Sequence, residues 1–150
     1  MIDIEELRIG NLVDIRYEHE FMVHPVKIID IDAINKTVEI DDSGRRREVN
    51  LHKIIPIPIN LYILEKLCGF KKSFNLLKGN DEKWCHEKYN FHIRLRDGHY
   101  KIVREINSSP TGEWIDVEFG KDGCMDFLHQ LQNVIRDMTG EELSKPDRLL

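Results

Sequence analysis

No apolar run in this chain approaches the roughly 20 residues that a helix needs to span a bilayer. The most apolar stretch, Ile54-Ile55-Pro56-Ile57-Pro58-Ile59, is interrupted twice by proline, so no membrane partner is expected. The first residues, Met1-Ile2-Asp3-Ile4-Glu5-Glu6, are acidic and lack the basic head and apolar centre of a signal peptide. Cysteine is scarce: Cys68, Cys85 and Cys124 are odd in number, widely spaced and without a Cys-x-x-Cys pair. Free thiols in a reducing cytoplasm account for them more simply than a disulfide framework. There is no Gly-rich phosphate loop, HExxH or GxSxG, so the nucleotide-binding, zincin and serine-hydrolase classes lose their signatures. Nor is there an excess of positive charge. With 22 Lys/Arg against 27 Asp/Glu the net charge is −5, which argues against a protein that coats nucleic acid through its overall field.

The charge is uneven along the chain. Residues 1–58 carry 8 Lys/Arg and 12 Asp/Glu, residues 61–106 carry 10 and 6, and residues 107–150 carry 4 and 9. The basic middle is the segment whose charge points to an anionic partner. Elsewhere, apolar content of 41 % in 150 residues is enough to bury a core.

Before the prolines the chain alternates with the period of half-buried strands. Val13, Ile15 and Tyr17 are followed by Val26 to Ile31, by Thr37 to Asp41 with Val38 and Ile40 inward, and by Arg46 to Asn50. A short turn and fifth strand run from Leu51 to Ile57. Asp42-Ser43-Gly44 is a turn by composition. Five short strands in so few residues predict a small SH3-like β-barrel over 1–58. Arg45-Arg46-Arg47 reads as a solvated hairpin tip beside Asp41, Asp42 and Glu48, with phosphate or an acidic partner as the functional alternative.

After the prolines, Asn60 is a candidate N-cap for a short helix with Leu61, Leu64, Leu67 and Cys68 on one face and Gly69 after its end. Tyr89 to Arg96 and His99 to Ile106 flank Asp97-Gly98, a strong hairpin signal. A two-residue turn fixes the register: Arg96 opposite His99, Leu95 opposite Tyr100, Arg94 opposite Lys101, Ile93 opposite Ile102 and His92 opposite Val103. One face is then Ile93, Leu95, Tyr100 and Ile102. The other gathers His92, Arg94, Arg96, His99 and Lys101, whose like charges need a counter-charge. Glu113 to Phe119 alternates again and offers Asp116 and Glu118 with Trp114. The face is therefore either a cross-strand charge ladder or a binding surface made of Arg94, Arg96, His99, Lys101 and Trp114.

A closing helix places Cys124, Met125, Phe127, Leu128, Leu131, Val134, Ile135 and Met138 on one half of its wheel. Asp126, His129, Gln130, Asn133, Arg136 and Asp137 occupy the exposed half, and Gly140 ends it. Leu131 and Ile135 are expected to pack on the second sheet. His129, Gln132 and Arg136 line one polar edge, either bonding a sheet rim or presenting groups to a ligand. Cys85, His86, His92 and His99 do not have the spacing of a structural zinc site, and no metal or cofactor is expected.

Leu7-Arg8-Ile9-Gly10-Asn11 near the start, with His129-Gln130-Leu131-Gln132-Asn133 and Thr139-Gly140-Glu141-Glu142-Leu143 near the end, resemble a group of small uncharacterised proteins of phages, prophages and mobile elements of Bacteroides-type bacteria. The resemblance implies a bacterial, cytoplasmic, phage-linked setting and supplies no catalytic residue.

The expected fold is α+β. The small barrel over 1–58 precedes an α-β-α half over 59–150, an antiparallel sheet flanked by two helices, and the two pack together as one compact unit. The absence of a catalytic constellation favours a non-catalytic accessory protein that binds another protein. The alternatives are a single-stranded nucleic-acid-binding module on the hairpin face and a small enzyme using Cys85 with a histidine. Partner identity and oligomeric state are not encoded in any motif.

Overall fold

The computed structural model describes residues 2–16, 25–73, 82–96, 98–106, 113–117 and 125–143. Within it the chain divides into two compact units, residues 1–58 with 127–142, and residues 59–126 with 143–150. Residues 59–126 of the second unit are thus inserted into the first. The insertion begins and ends at neighbouring points: Pro58 and Phe127 form an antiparallel bridge, and the Leu128 N–H donates to the Ile57 carbonyl at 2.8 Å.

The first unit is a curled antiparallel sheet of β1 (Leu12–Ile15), β2 (Val26–Asp32), β3 (Thr37–Asp42), β4 (Arg45–Asn50) and β5 (Ile54–Ile55), in the order β4-β3-β2-β1-β5. The β3–β4 turn is Ser43-Gly44, with φ of 53° and 88°, the left-handed pair that matches strand twist. The alternating apolar side chains foreseen from the sequence form its core: Val13, Ile15, Val26, Ile28, Val38, Ile40, Val49 and Ile54 are buried, with Ile2, Leu7 and Leu51 beside them.

The helix α1 (Leu128–Thr139) completes this unit. Gln130 Oε1 accepts the Phe127 N–H at its start, and Gly140, with φ of 74°, donates to the Arg136 carbonyl at its end. Of its polar edge, His129 and Gln132 are buried and Arg136 is exposed. Gln132 Oε1 accepts the Leu12 N–H at 2.8 Å while its Nε2 donates to the Gly10 carbonyl at 3.3 Å. Asn133 accepts from Asn11 Nδ2 and donates to the Glu6 carbonyl, both at 2.8 Å. Asn11 Oδ1 in turn accepts the Arg8 N–H. Arg136 reaches the Ile9 carbonyl, and Arg8 grips Asp137 with two nitrogens at 2.6 and 3.3 Å. Gly10 has φ of 97°, and a Cβ there would sit 3.2 Å from Glu142 Oε1. The residues of the two terminal motifs therefore meet as one polar clasp between the N-terminal segment and α1.

This arrangement corrects the expected helical wheel. His129 and Asn133, assigned to its exposed half, are buried. Buried amides are stable there because each finds backbone and amide partners. The helix α1 is counted with the first unit, and Gln132 bonds it to the segment leading into β1.

The second unit carries β6 (Lys71–Lys72), β7 (Glu82–Cys85), β8 (Phe91–Arg96), β9 (His99–Ile106) and β10 (Glu113–Val117), ordered β10-β9-β8-β7-β6 and antiparallel throughout. The two helices expected around this sheet reduce to one α-helix in the described residues. The segment after Asn60 is a single wide π-turn over Ile63–Leu67, closed by the Cys68 N–H on the Ile63 carbonyl at 3.0 Å. Asn60 does cap it, accepting the Ile63 N–H at 2.9 Å, and Gly69 ends it at φ of 77°. Eight residues are too few to propagate an α-helix by themselves, and packing selects the turn that buries Ile63, Leu64, Leu67 and Cys68.

Candidate functional sites

The hairpin register is the one a two-residue turn requires. Arg96 lies opposite His99, Leu95 opposite Tyr100, Arg94 opposite Lys101, Ile93 opposite Ile102 and His92 opposite Val103. Gly98 has φ of 77°; Asp97 lies outside the described residues. The strand β7, which the sequence reading missed, extends the basic face. Its register sets Lys83 opposite Arg94, so Lys83, Arg94 and Lys101 form one row across three adjacent strands. All three are half-buried. Lys83 was legible only through the alternation of Glu82-Lys83-Trp84-Cys85, which is shorter than a convincing strand pattern.

The rest of this face is mixed. His99 is exposed and its Nδ1 lies 3.5 Å from Asp126 Oδ1, so it has a carboxylate neighbour. His92 is buried rather than displayed. The strand β10 pairs with β9, with Trp114 opposite Glu105 and Asp116 opposite Val103. For Arg96 and Trp114 the described atoms are those of the backbone, and Glu118 lies outside the described residues. By register Asp116 stands opposite Val103, one diagonal position from Lys101.

The opposite face of the sheet is apolar and aromatic. Trp84 is fully buried with its ring 5.9 Å from that of Tyr100. Phe70, His86, Tyr89 and Phe91 form a chain of ring contacts, with His86 and Tyr89 centroids 4.5 Å apart and Tyr89 stacked on Phe91 at 5.0 Å. Burial in this cluster pulls the His86 pKa below its ordinary value. These rings therefore do not lie beside the cationic row, where bases would need to stack.

Cys85 and His92 stand opposite each other on β7 and β8, next to Lys71 on β6. Among the described residues no three His, Cys, Asp or Glu side chains are grouped to hold a metal ion. No helix among them is long and apolar enough to cross a membrane.

A cleft of about 530 Å³ opens in the first unit, lined by Ile15, Arg16, Arg47, Glu48, Val49 and Lys53. It holds neither His nor Cys. The Arg45-Arg46-Arg47 triplet divides around it. Arg45 and Arg46 lie opposite Asp42 and Asp41, and Arg46 reaches within 4.0 Å of Glu39. Arg47 lies opposite the buried Ile40 and lines the cleft.

Comparison with protein-family models, with curated proteins and with solved structures returns no match for this chain.

Proposed function

We propose that this chain is a non-catalytic accessory protein of phage or mobile-element origin, acting in the bacterial cytoplasm, that binds an acidic protein surface through the second sheet. The observation that carries the reading is the row Lys83–Arg94–Lys101, three cations set side by side across three strands. Like charges set side by side repel, and an acidic surface laid on this row is complementary to it. The terminal motifs support an accessory role: their polar residues are spent on holding α1 to the N-terminal segment. On this reading the curled first sheet is a small SH3-like barrel whose strands serve as a scaffold.

Single-stranded nucleic acid is the weaker reading of the same face. Nucleic-acid platforms interleave cations with stacking rings, whereas the described ring cluster packs on the other side of β8. The test is a titration of labelled poly-glutamate and of single-stranded DNA and RNA across a salt series, with wild type and an Arg94→Glu/Lys101→Glu variant. Binding of poly-glutamate by wild type, lost in the variant while its melting curve is kept, is the expected result. Tight oligonucleotide binding with a steep salt slope would transfer the assignment to nucleic acid. No binding by wild type, with a variant that melts lower, would make the row a structural charge ladder.

A further inference from the structure

The cleft of the first unit sits at the seam where the curled sheet fails to close. In the order β4-β3-β2-β1-β5, β4 is an edge strand separated from β1 by two others. Yet Ile15 and Arg16 at the end of β1 line the same cleft as Arg47, Glu48 and Val49 of β4. The sheet therefore curls until β4, one of its edges, faces the end of β1 and the residue Lys53 that leads into β5, the other edge, with a gap of about 530 Å³ among them. The far wall is continued by Lys53, whose carbonyl accepts the Arg16 N–H at 2.9 Å.

The wall chemistry is specific. Val49 faces Val38 and Arg47 faces Ile40, both on the buried row of β3. Arg47 thus occupies an inward position of β4, where alternation would otherwise place an apolar side chain. Arg16, Arg47 and Lys53 line the gap together with Glu48. In a hairpin with a two-residue turn the hydrogen-bonded pairs alternate outward from the turn. Arg45, Arg47 and Val49 then bond inward to β3, and Arg46, Glu48 and Asn50 turn their backbone N–H and C=O groups to the outer edge of β4, beside which no strand lies among the described residues.

We propose that this seam is a binding site for an extended acidic peptide segment. The segment adds as a sixth strand beside β4, taking the open backbone groups of Arg46, Glu48 and Asn50. Its carboxylates lie against Arg16, Arg47 and Lys53, with small apolar side chains resting on Ile15 and Val49. Backbone pairing supplies affinity and the alternate side chains supply selectivity, as in other strand additions. The charge selects the occupant. Two copies of β4 edge to edge would bring their arginines together, which disfavours self-pairing, whereas an acidic strand is complementary. This site is separate from the cationic row of the second sheet and does not depend on it.

The experiment uses the full chain and a fluorescein-labelled eight-residue peptide alternating Glu or Asp with Thr or Val, followed by fluorescence anisotropy. Three further probes accompany it: the same peptide N-methylated at alternate residues, inorganic polyphosphate, and the peptide with Lys in place of its acids. The acidic peptide is expected to bind, with at least tenfold weaker binding after N-methylation, after the charge swap, and in Arg47→Glu. Arg47→Gln should fall between wild type and Arg47→Glu, and circular dichroism melts keep these comparisons to folded protein. Arg94→Glu/Lys101→Glu should bind the peptide as wild type does. Equal binding of the N-methylated peptide, or polyphosphate competing as well as peptide, would overturn strand addition in favour of a simple anion site. No peptide binding at millimolar concentration, or a dimer through β4 in sedimentation, would overturn it too.

Discussion

At the scale of single residues, Asn133 has the widest structural reach. Its amide joins Asn11 to the Glu6 carbonyl, and Asn11 in turn fixes the Arg8 N–H. Asn133→Ala strands a buried amide donor and a backbone carbonyl, and the expected cost is about 1–3 kcal/mol. A urea midpoint equal to that of wild type would refute this account of the clasp. By contrast Asp137→Asn should cost less than about 1 kcal/mol, because the Arg8–Asp137 pair is half exposed. His129 supplies a pH dependence. It is fully buried, stacked on Phe127, with Nε2 3.5 Å from Glu6 Oε2. Both ring nitrogens are buried with no hydrogen-bond partner among the described residues. Burial lowers its pKa, and the attraction of Glu6 only partly opposes that. The unfolded chain therefore binds the proton more readily than the native one. The contribution of His129 is full above the ordinary histidine value of about 6.5 and is lost as pH falls below it. Wild-type melting temperature should drop between pH 7 and pH 5, and His129→Leu should flatten that slope. A variant as steep as wild type would assign the effect elsewhere, His86 being the next candidate because its pKa is shifted the same way.

At the scale of elements, α1 owes its place to both of its faces. Leu131 and Ile135 are fully buried, and Leu131→Ala should lower stability by about 2–5 kcal/mol, read as a shift in urea midpoint at unchanged slope. Periodicity exposed this apolar stripe, and it exposed the five strands of the first sheet and the β8–β9 register, because alternation and a two-residue turn leave little freedom. It did not reveal the burial of Asn133 or Gln132. A polar side chain that finds partners in the interior has the same identity as one facing water, and only its contacts distinguish the two. Strands β6 and β7 escaped notice because two and four residues carry too short a pattern. The π-turn at Ile63–Leu67 was read as a helix because its cap and terminal glycine are those of a helix. Of the candidate surface, Arg94 and Lys101 were legible as cross-strand neighbours, while Lys83 entered only through β7. The cleft was not legible at all. It depends on how far a sheet curls, and curl is a sum of small twists that no single residue encodes.

At the scale of the whole molecule, the first unit is assembled from both ends of the sequence, and a fragment of residues 1–58 lacks α1. In that fragment the Leu12 N–H, the Gly10 and Glu6 carbonyls and the Asn11 amide lose their partners on Gln132 and Asn133. Such a fragment should be largely unfolded by circular dichroism. Adding a peptide of residues 125–143 should restore β-structure in a saturable way. A fragment that is folded alone, with a melt close to that of the intact chain, would show that the clasp is dispensable.

The insertion of residues 59–126 within the first unit also fixes an order in time. Asn11 and Asn133 are 122 residues apart in sequence, so closing the clasp directly requires a long loop to surrender its freedom. During synthesis the strands of the first sheet leave the ribosome before residues 59–126, and the helix that completes their unit leaves after them. The inserted residues 59–126 are all available before α1 appears, and domains fold as units when their residues are at hand. Once they have folded, the bridge between Pro58 and Phe127 turns that long loop into a short one. The first unit thus waits for α1 while residues 59–126 are already at hand, and pulse-labelled hydrogen exchange should find β8 and β9 protected before β1.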